Sequence, residues 1–116
     1  MLIYHYLHNN NIKVELLPIE KPDKVFETLM DPLQVGYEHE QYVTSLIHNI
    51  YGEAQLVRDF RTVQFMDWFV KEQGEEEKNA SDLISKMELF GSDPKGLYLL
   101  DSELAARIYS APSLVL

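Results

Sequence analysis

The 116-residue sequence contains no cysteine. That excludes disulfides, thiolate metal sites and a cysteine nucleophile, and it leaves the redox compartment open. Positive charge is scarce as well: 10 Lys and Arg stand against 19 Asp and Glu, a formal net charge of −9. Holding a phosphate backbone takes a surplus of Lys and Arg, so nucleic acid is not an expected partner. A chain of this charge attracts cations instead. Long hydrophobic runs are missing too. The opening "MLIYHYLHNNN" has no basic leader, and its apolar stretch is too short for a signal peptide or a membrane span. A cytoplasmic location without a membrane partner is the expectation. There is no internal repeat, and no low-complexity tract beyond one acidic run, "KEQGEEEK" at residues 71–78.

What is present is apolar and mostly helical in spacing. Hydrophobic residues make up 46% and aromatics 11%, enough for one domain with one core and too much for disorder. "LIYHYLH" is helix-compatible and ends at "NNN", which reads as a C-cap and turn. "IKVELLPIEKPDK" then carries Pro18 and Pro22 among alternating apolar residues, so an extended connector is expected over 10–27. Two helix starts follow. Thr28 as N-cap with Asp31 three residues on makes a capping-box pattern; Asp31 as N-cap with Pro32 at the first helical position is the other.

From there to Leu56, apolar residues fall at Leu33, Tyr37, Val43, Ile47, Ile50 and Ala54, one helical stripe with a single gap. Glu40 fills the gap. A second stripe runs from Asp59 to Phe90 through Val63, Met66, Phe69 or Val70, Ala80, Leu83, Met87 and Phe90. It too is broken in the middle, and its spacing is continued there by Gln73 and by Glu76 or Glu77. Glu72, Glu75 and Glu76 share a face beside the stripe. The acidic run is thereby divided: Lys71 and Glu77 are expected in water, with Gln73, Glu76 and in part Glu72 and Glu75 turned inward. After "FGSDPKG", a loop rich in turn residues, "LYLLDSELAARIY" is expected to form a short helix over 98–110, with Asp101 or Ser102 as N-cap and "GLYLL" extended before it.

The two long helices are separated only around Gln55 to Arg58, so they are expected to form an antiparallel hairpin over 28–90. Glu40 and Glu76 then stand about 18 residues on either side of the turn, each roughly 27 Å from it. Two interior carboxylates at one level repel unless something neutralises them. No Lys or Arg stands at that level on either stripe, so a bound cation is the economical neutraliser. Oxygen ligands alone select hard ions such as iron, manganese, magnesium or calcium.

Taken together, "YEHEQYVTSLIHNIY", "DFRTVQFMDWFVKEQGEEEK" and "GLYLLDSEL" resemble the third, fourth and fifth helices of prokaryotic non-haem ferritins. "LIYHYLHNNNIKVELLPIEKP" resembles the end of the second helix and the connector after it, so the likeness covers essentially the whole chain. It implies an all-α, ferritin-like fold, and bundles of that kind are themselves the known setting for interior carboxylate metal sites. It also implies iron as Fe(II) and Fe(III), without haem. Glu40 would be the third-helix ligand of a di-iron ferroxidase centre and Glu76 the fourth-helix ligand, with Gln73 beside the metal. Glu72 and Glu75, with Glu76, resemble a third iron site. Trp68, one turn before Glu72, resembles a tryptophan near the centre.

The departure is at the front. The family's first helix supplies a Glu and its second a Glu-x-x-His, whose His would fall just upstream of Met1. No Glu-x-x-His occurs in this chain. His5 and His8 are read as surface residues, and His39 and His48 lie off the stripe. The chain is therefore read as the second half of a ferritin, a single partial domain over 1–116 that completes a four-helix bundle only with another chain or with the other half. The expected function is iron binding and storage of the ferritin type, which in the family includes Fe(II) oxidation by O₂ or peroxide. The alternative is a non-catalytic helical assembly protein that keeps the ferritin interfaces. A rubrerythrin-like oxidase is disfavoured, because Gln73-x-x-Glu76 stands where those proteins need Glu-x-x-His. Self-association, as a dimer or a larger assembly, is expected in either case.

Overall fold

Four helices and no strand form in the computed structural model, which describes residues 1–116: α1 (Leu2–Asn9), α2 (Met30–Leu56), α3 (Phe60–Phe90) and α4 (Pro94–Ala105). The chain divides into two units, Met1–Val25 with Ser110–Leu116, and Phe26–Tyr109.

In the first unit, α1 ends through its asparagines. Asn11 takes the left-handed conformation at φ 59°. The N–H of Ile12 donates to Leu7 O at 2.9 Å and that of Asn11 to His8 O at 3.0 Å. These two bonds satisfy carbonyls that the helix end leaves open, and asparagine tolerates the required φ better than most residues. Residues 12–26 form no regular secondary structure.

The second unit is the hairpin with α4 on its end. Neither expected N-cap takes that place in α2, whose N-cap is Leu29 without a side-chain cap bond, but the pairing of Thr28 with Asp31 does form just ahead of it. The N–H of Thr28 donates to Asp31 Oδ2 at 3.1 Å and the Thr28 hydroxyl to Oδ1 at 2.8 Å, with a long return bond of 3.3 Å from Asp31 N–H to Thr28 Oγ1. A further bond from Glu27 N–H and these contacts hold the Asp31 carboxyl below its ordinary value of 3.8. Pro32 falls within the first turn, where its missing N–H would have had no partner in the helix. At the other end Arg58 occupies the left-handed region at φ 60°. Its N–H donates to Gln55 O at 3.0 Å, and Asp59 N–H to Ala54 O at 2.8 Å. Asp59 then caps α3, accepting from Thr62 N–H at 3.1 Å and from the Thr62 hydroxyl at 2.6 Å. A connection this short forces α2 and α3 antiparallel, and they pack along each other.

Ile47 and Ala54 of α2, Phe65 and Met66 of α3 and Leu100 of α4 are the buried apolar residues. Ile50 and Phe90, placed on the stripes by spacing, are exposed. Ile50 sits roughly 60° around the helix from Ile47, while Ala54 lies almost in line with it. Phe65 was absent from the expected stripe; it packs edge-on to Phe69 with ring centroids 5.1 Å apart.

The last helix departs from expectation at both ends. It begins at Pro94 rather than 98 and finishes at Ala105 rather than 110. Asp93, not Asp101 or Ser102, is its N-cap, accepting from Lys95 N–H at 3.3 Å and Gly96 N–H at 3.2 Å. "Asp-Pro" is an N-cap followed by an N1 proline, so the turn-rich stretch is itself the helix start. Gly96 serves packing: a Cβ there would lie 2.3 Å from the main-chain oxygen of Phe90. An ion pair between Lys86 and Glu103 also joins α3 to α4.

Candidate metal centre

Glu40 projects from the middle of α2 and is half-buried; Glu76 projects from the middle of α3 and is exposed. Both line one cavity of about 200 Å³, with Leu33 and Gly36 on the α2 side and Ala80 and Leu83 on the α3 side. Glu76, expected to face inward, is reached by water because α2 is the only long helix set against α3 at this height within the unit.

Gln73 is the one buried polar side chain, 6% exposed. Its Nε2 donates to the main-chain oxygen of Glu40 at 2.8 Å and to Glu40 Oε2 at 2.7 Å. The Thr44 hydroxyl donates to the same main-chain oxygen at 3.0 Å. Glu40 is thus held at its backbone and its carboxylate before any ligand arrives. Both Gln73 amide bonds are directed at Glu40, so this side chain acts on the carboxylate from behind the cavity wall.

The other residues singled out in the sequence are placed differently. Glu72 is half-buried and Glu75 exposed, while Glu77, expected in water, is half-buried; Lys71 is exposed. Three carboxylates do not gather here, since no group of three or more His, Cys, Asp or Glu is positioned to hold a metal ion. Like charges at helical spacing of three and four spread apart when nothing lies between them. Trp68 is half-buried, edge-on to Phe69 with centroids 5.0 Å apart. His39 is exposed beside the ring of Tyr42, and His48 lines a separate cavity with Tyr51 and Asp67. His5 and His8 both contact the ring of Tyr4.

One residue escaped the stripe reading altogether. Arg107, in the segment after α4, lines the cavity of Glu40 and Glu76. Periodicity along the long helices carries no signal for a side chain delivered by a third element.

Residues 1–90 match the family model of the ferritin-like domain. The chain belongs to that family. Its relatives include prokaryotic non-haem ferritins: that of Campylobacter jejuni is 35% identical over 96 residues, 83% of this chain and 58% of that protein. A bacterial non-haem ferritin of Escherichia coli is 33% identical over 103 residues, 89% of this chain and 62% of that protein. Among solved structures, a humanised archaeal ferritin superposes with a TM-score of 0.91 at 34% identity, covering 95% of this chain and 67% of that one. An open-pore ferritin from Archaeoglobus fulgidus gives 0.89 at 34% identity, covering 92% and 66%. The chain spans less than two thirds of the length of these curated ferritins.

The donor set of this ferritin hairpin fits a hard cation in kind and falls short in number. Carboxylate oxygens, here those of Glu40 and Glu76, are the ligand type such ions prefer. Two carboxylates are fewer than a closed site requires.

Proposed function

We propose that the chain is an iron-binding protein of the ferritin type, acting in iron storage in the cytoplasm and working as part of a self-associated assembly. Glu40 and Glu76 would be the carboxylates that take the metal, with Gln73 positioning Glu40, and with Glu72 and Glu75 as further acidic groups on the approach. The observation that supports this most directly is that two carboxylates from two antiparallel helices face one small cavity, one of them locked by a buried amide. The chain's own contribution is a pair of carboxylates, one from each long helix, at one cavity. No helix is long and apolar enough to cross a membrane, in keeping with that setting.

Anaerobic titration with Fe(II), followed by the emission of the single tryptophan, Trp68, tests the reading. Saturable quenching that the double substitution Glu40→Ala with Glu76→Ala abolishes is the expected result. Quenching unchanged in the double variant would remove both residues from the site.

A second reading is favoured by the shortage of ligands, with no group of three or more metal-binding side chains assembled. On that reading the chain is a helical assembly protein that keeps ferritin contacts without turning iron over. A catalytic metal pair needs both ions held with open positions. Fe(II) oxidation near the buffer rate by the 116-residue chain, alongside normal assembly, would favour it; rapid oxidation saturating at two irons per chain would exclude it.

A further inference from the structure

The cavity shared by Glu40 and Glu76 has a single cationic side chain in its wall, Arg107. The carboxylates stand on the two long helices, and the guanidinium arrives from the segment that follows α4. Its direction of approach is fixed by how α4 is seated: Gly96 lies against the main chain at Phe90, and Lys86 pairs with Glu103. Arg107 forms no ion pair with either carboxylate, so it acts across the cavity rather than through a contact. Part of the intervening wall is apolar, Leu33, Ala80 and Leu83 among it, while Arg107 and Glu76 themselves are exposed, so the charges act on one another through a partly solvated space.

We propose that Arg107 is a built-in counter-charge to Glu40 and Glu76, which opposes the entry of a divalent cation into the cavity they share. It occupies electrostatically the role that a metal would otherwise fill, and it lowers the affinity of the cavity for that metal. The inference rests on the reading that Glu40 and Glu76 take a hard divalent cation.

Titration of the full 116-residue chain with Mn²⁺, following free Mn²⁺ by electron paramagnetic resonance, tests it without any redox step. Arg107→Gln should bind Mn²⁺ tighter by about three- to tenfold, the range expected of one charge acting across a partly solvated cavity. Arg107→Lys, which keeps the charge, should stay within about twofold of the parent chain. The advantage of Arg107→Gln should shrink at about 0.5 M salt, where screening reaches inside the cavity's dimensions. Affinity for Mn²⁺ that is unchanged or weaker in Arg107→Gln, while Glu40→Ala with Glu76→Ala loses the site, would overturn the counter-charge and leave the carboxylate site standing. Mn²⁺ binding that survives loss of both glutamates would overturn the underlying site, and the counter-charge with it.

Discussion

The side-chain amide of Gln73 on α3 donates to both the main-chain oxygen and Oε2 of Glu40 on α2, at 2.8 and 2.7 Å. One buried side chain therefore ties the two long helices together and holds the orientation of a carboxylate that lines the cavity. A ligand held in place beforehand loses less freedom when a metal binds, and this is the way fixed sites are supported from behind.

Removing that amide tests its structural part. Gln73→Leu should cost about 1 to 3 kcal/mol, the usual penalty for taking a partner from buried polar groups, read as a lower thermal midpoint. Gln73→Glu places a second carboxylate against Glu40, and like charges at that distance disfavour each other. The variant should melt lower than the parent without metal and gain more from added Mn²⁺. A Mn²⁺-induced rise no larger than the parent's would show that position 73 does not face the bound ion.

Gly96 should not tolerate a side chain. A Cβ at 2.3 Å from Phe90 O cannot be relieved by a rotamer change, because the obstacle is backbone. Gly96→Ala is expected to cost about 1 to 3 kcal/mol, as overpacked sites do, and to lift α4 from the end of α3. Hydrogen exchange would report it as lost protection confined to Pro94–Ala105. Uniform loss across α2 and α3 would mean that α4 is not a separable element.

The hydroxyl of Tyr51 donates to Asp67 Oδ1 at 3.0 Å, a bond between α2 and α3 on another side of the hairpin from Gln73. That hydrogen bond, with smaller contributions from burial and the Asp67 charge, raises the phenol above its ordinary value of 10.0. The fold thus prefers the neutral phenol. Its contribution to stability is complete below about pH 10 and is lost as pH rises through the raised folded value. In a spectrophotometric titration, one of the 7 tyrosines should ionise later than the rest, and Asp67→Ala should return it to the main group. A titration curve identical in the parent and Asp67→Ala would show that the bond does not persist in solution.

Much of this was legible in the chain because its signals are local. Glu40 stands out as a charge in an otherwise apolar stripe, Asp59 opens a helix that its Thr62 completes, and the pair Thr28 and Asp31 is spaced for reciprocal capping. The start of α4 was legible as well, but the density of turn residues around Asp93 and Pro94 obscured it. What no spacing rule supplies is the contact between Gln73 and Glu40, 33 positions apart, since it depends on how deeply one helix sits against the other. The same holds for Arg107, whose place in the cavity follows from the seating of α4 and from nothing in its own neighbourhood. The exposure of Glu76 was missed for a related reason: spacing tells which face a residue shares, and not whether anything covers that face.

Self-association is the outcome expected from what the Phe26–Tyr109 unit leaves uncovered. Leu46 and Ile50 on α2 are each 43% exposed, Phe60 and Leu89 on α3 are exposed at 62% and 74%, and Tyr98 and Leu99 on α4 are exposed too. Of the residues on the two stripes, Ile47 and Met66 are buried, Ile50 is exposed, and Tyr37, Phe69, Leu83 and Met87 are half-buried. Exposed apolar side chains that form contiguous patches mark interfaces on soluble proteins. Covering one large side chain contributes roughly 1.5 to 3 kcal/mol, so several together outweigh the loss of free motion on association. The simplest closed arrangement is a two-fold dimer in which two hairpins make one four-helix bundle, bringing Glu40 and Glu76 of both chains toward a common centre. A larger ferritin-like assembly uses other faces. Sedimentation velocity of the purified chain separates these from each other and from a monomer. A dimer or larger species at micromolar concentration is the expected result, with Ile50→Glu shifting a dimer toward single chains. A species of single-chain mass with full helicity would show that these faces stay in water without a partner.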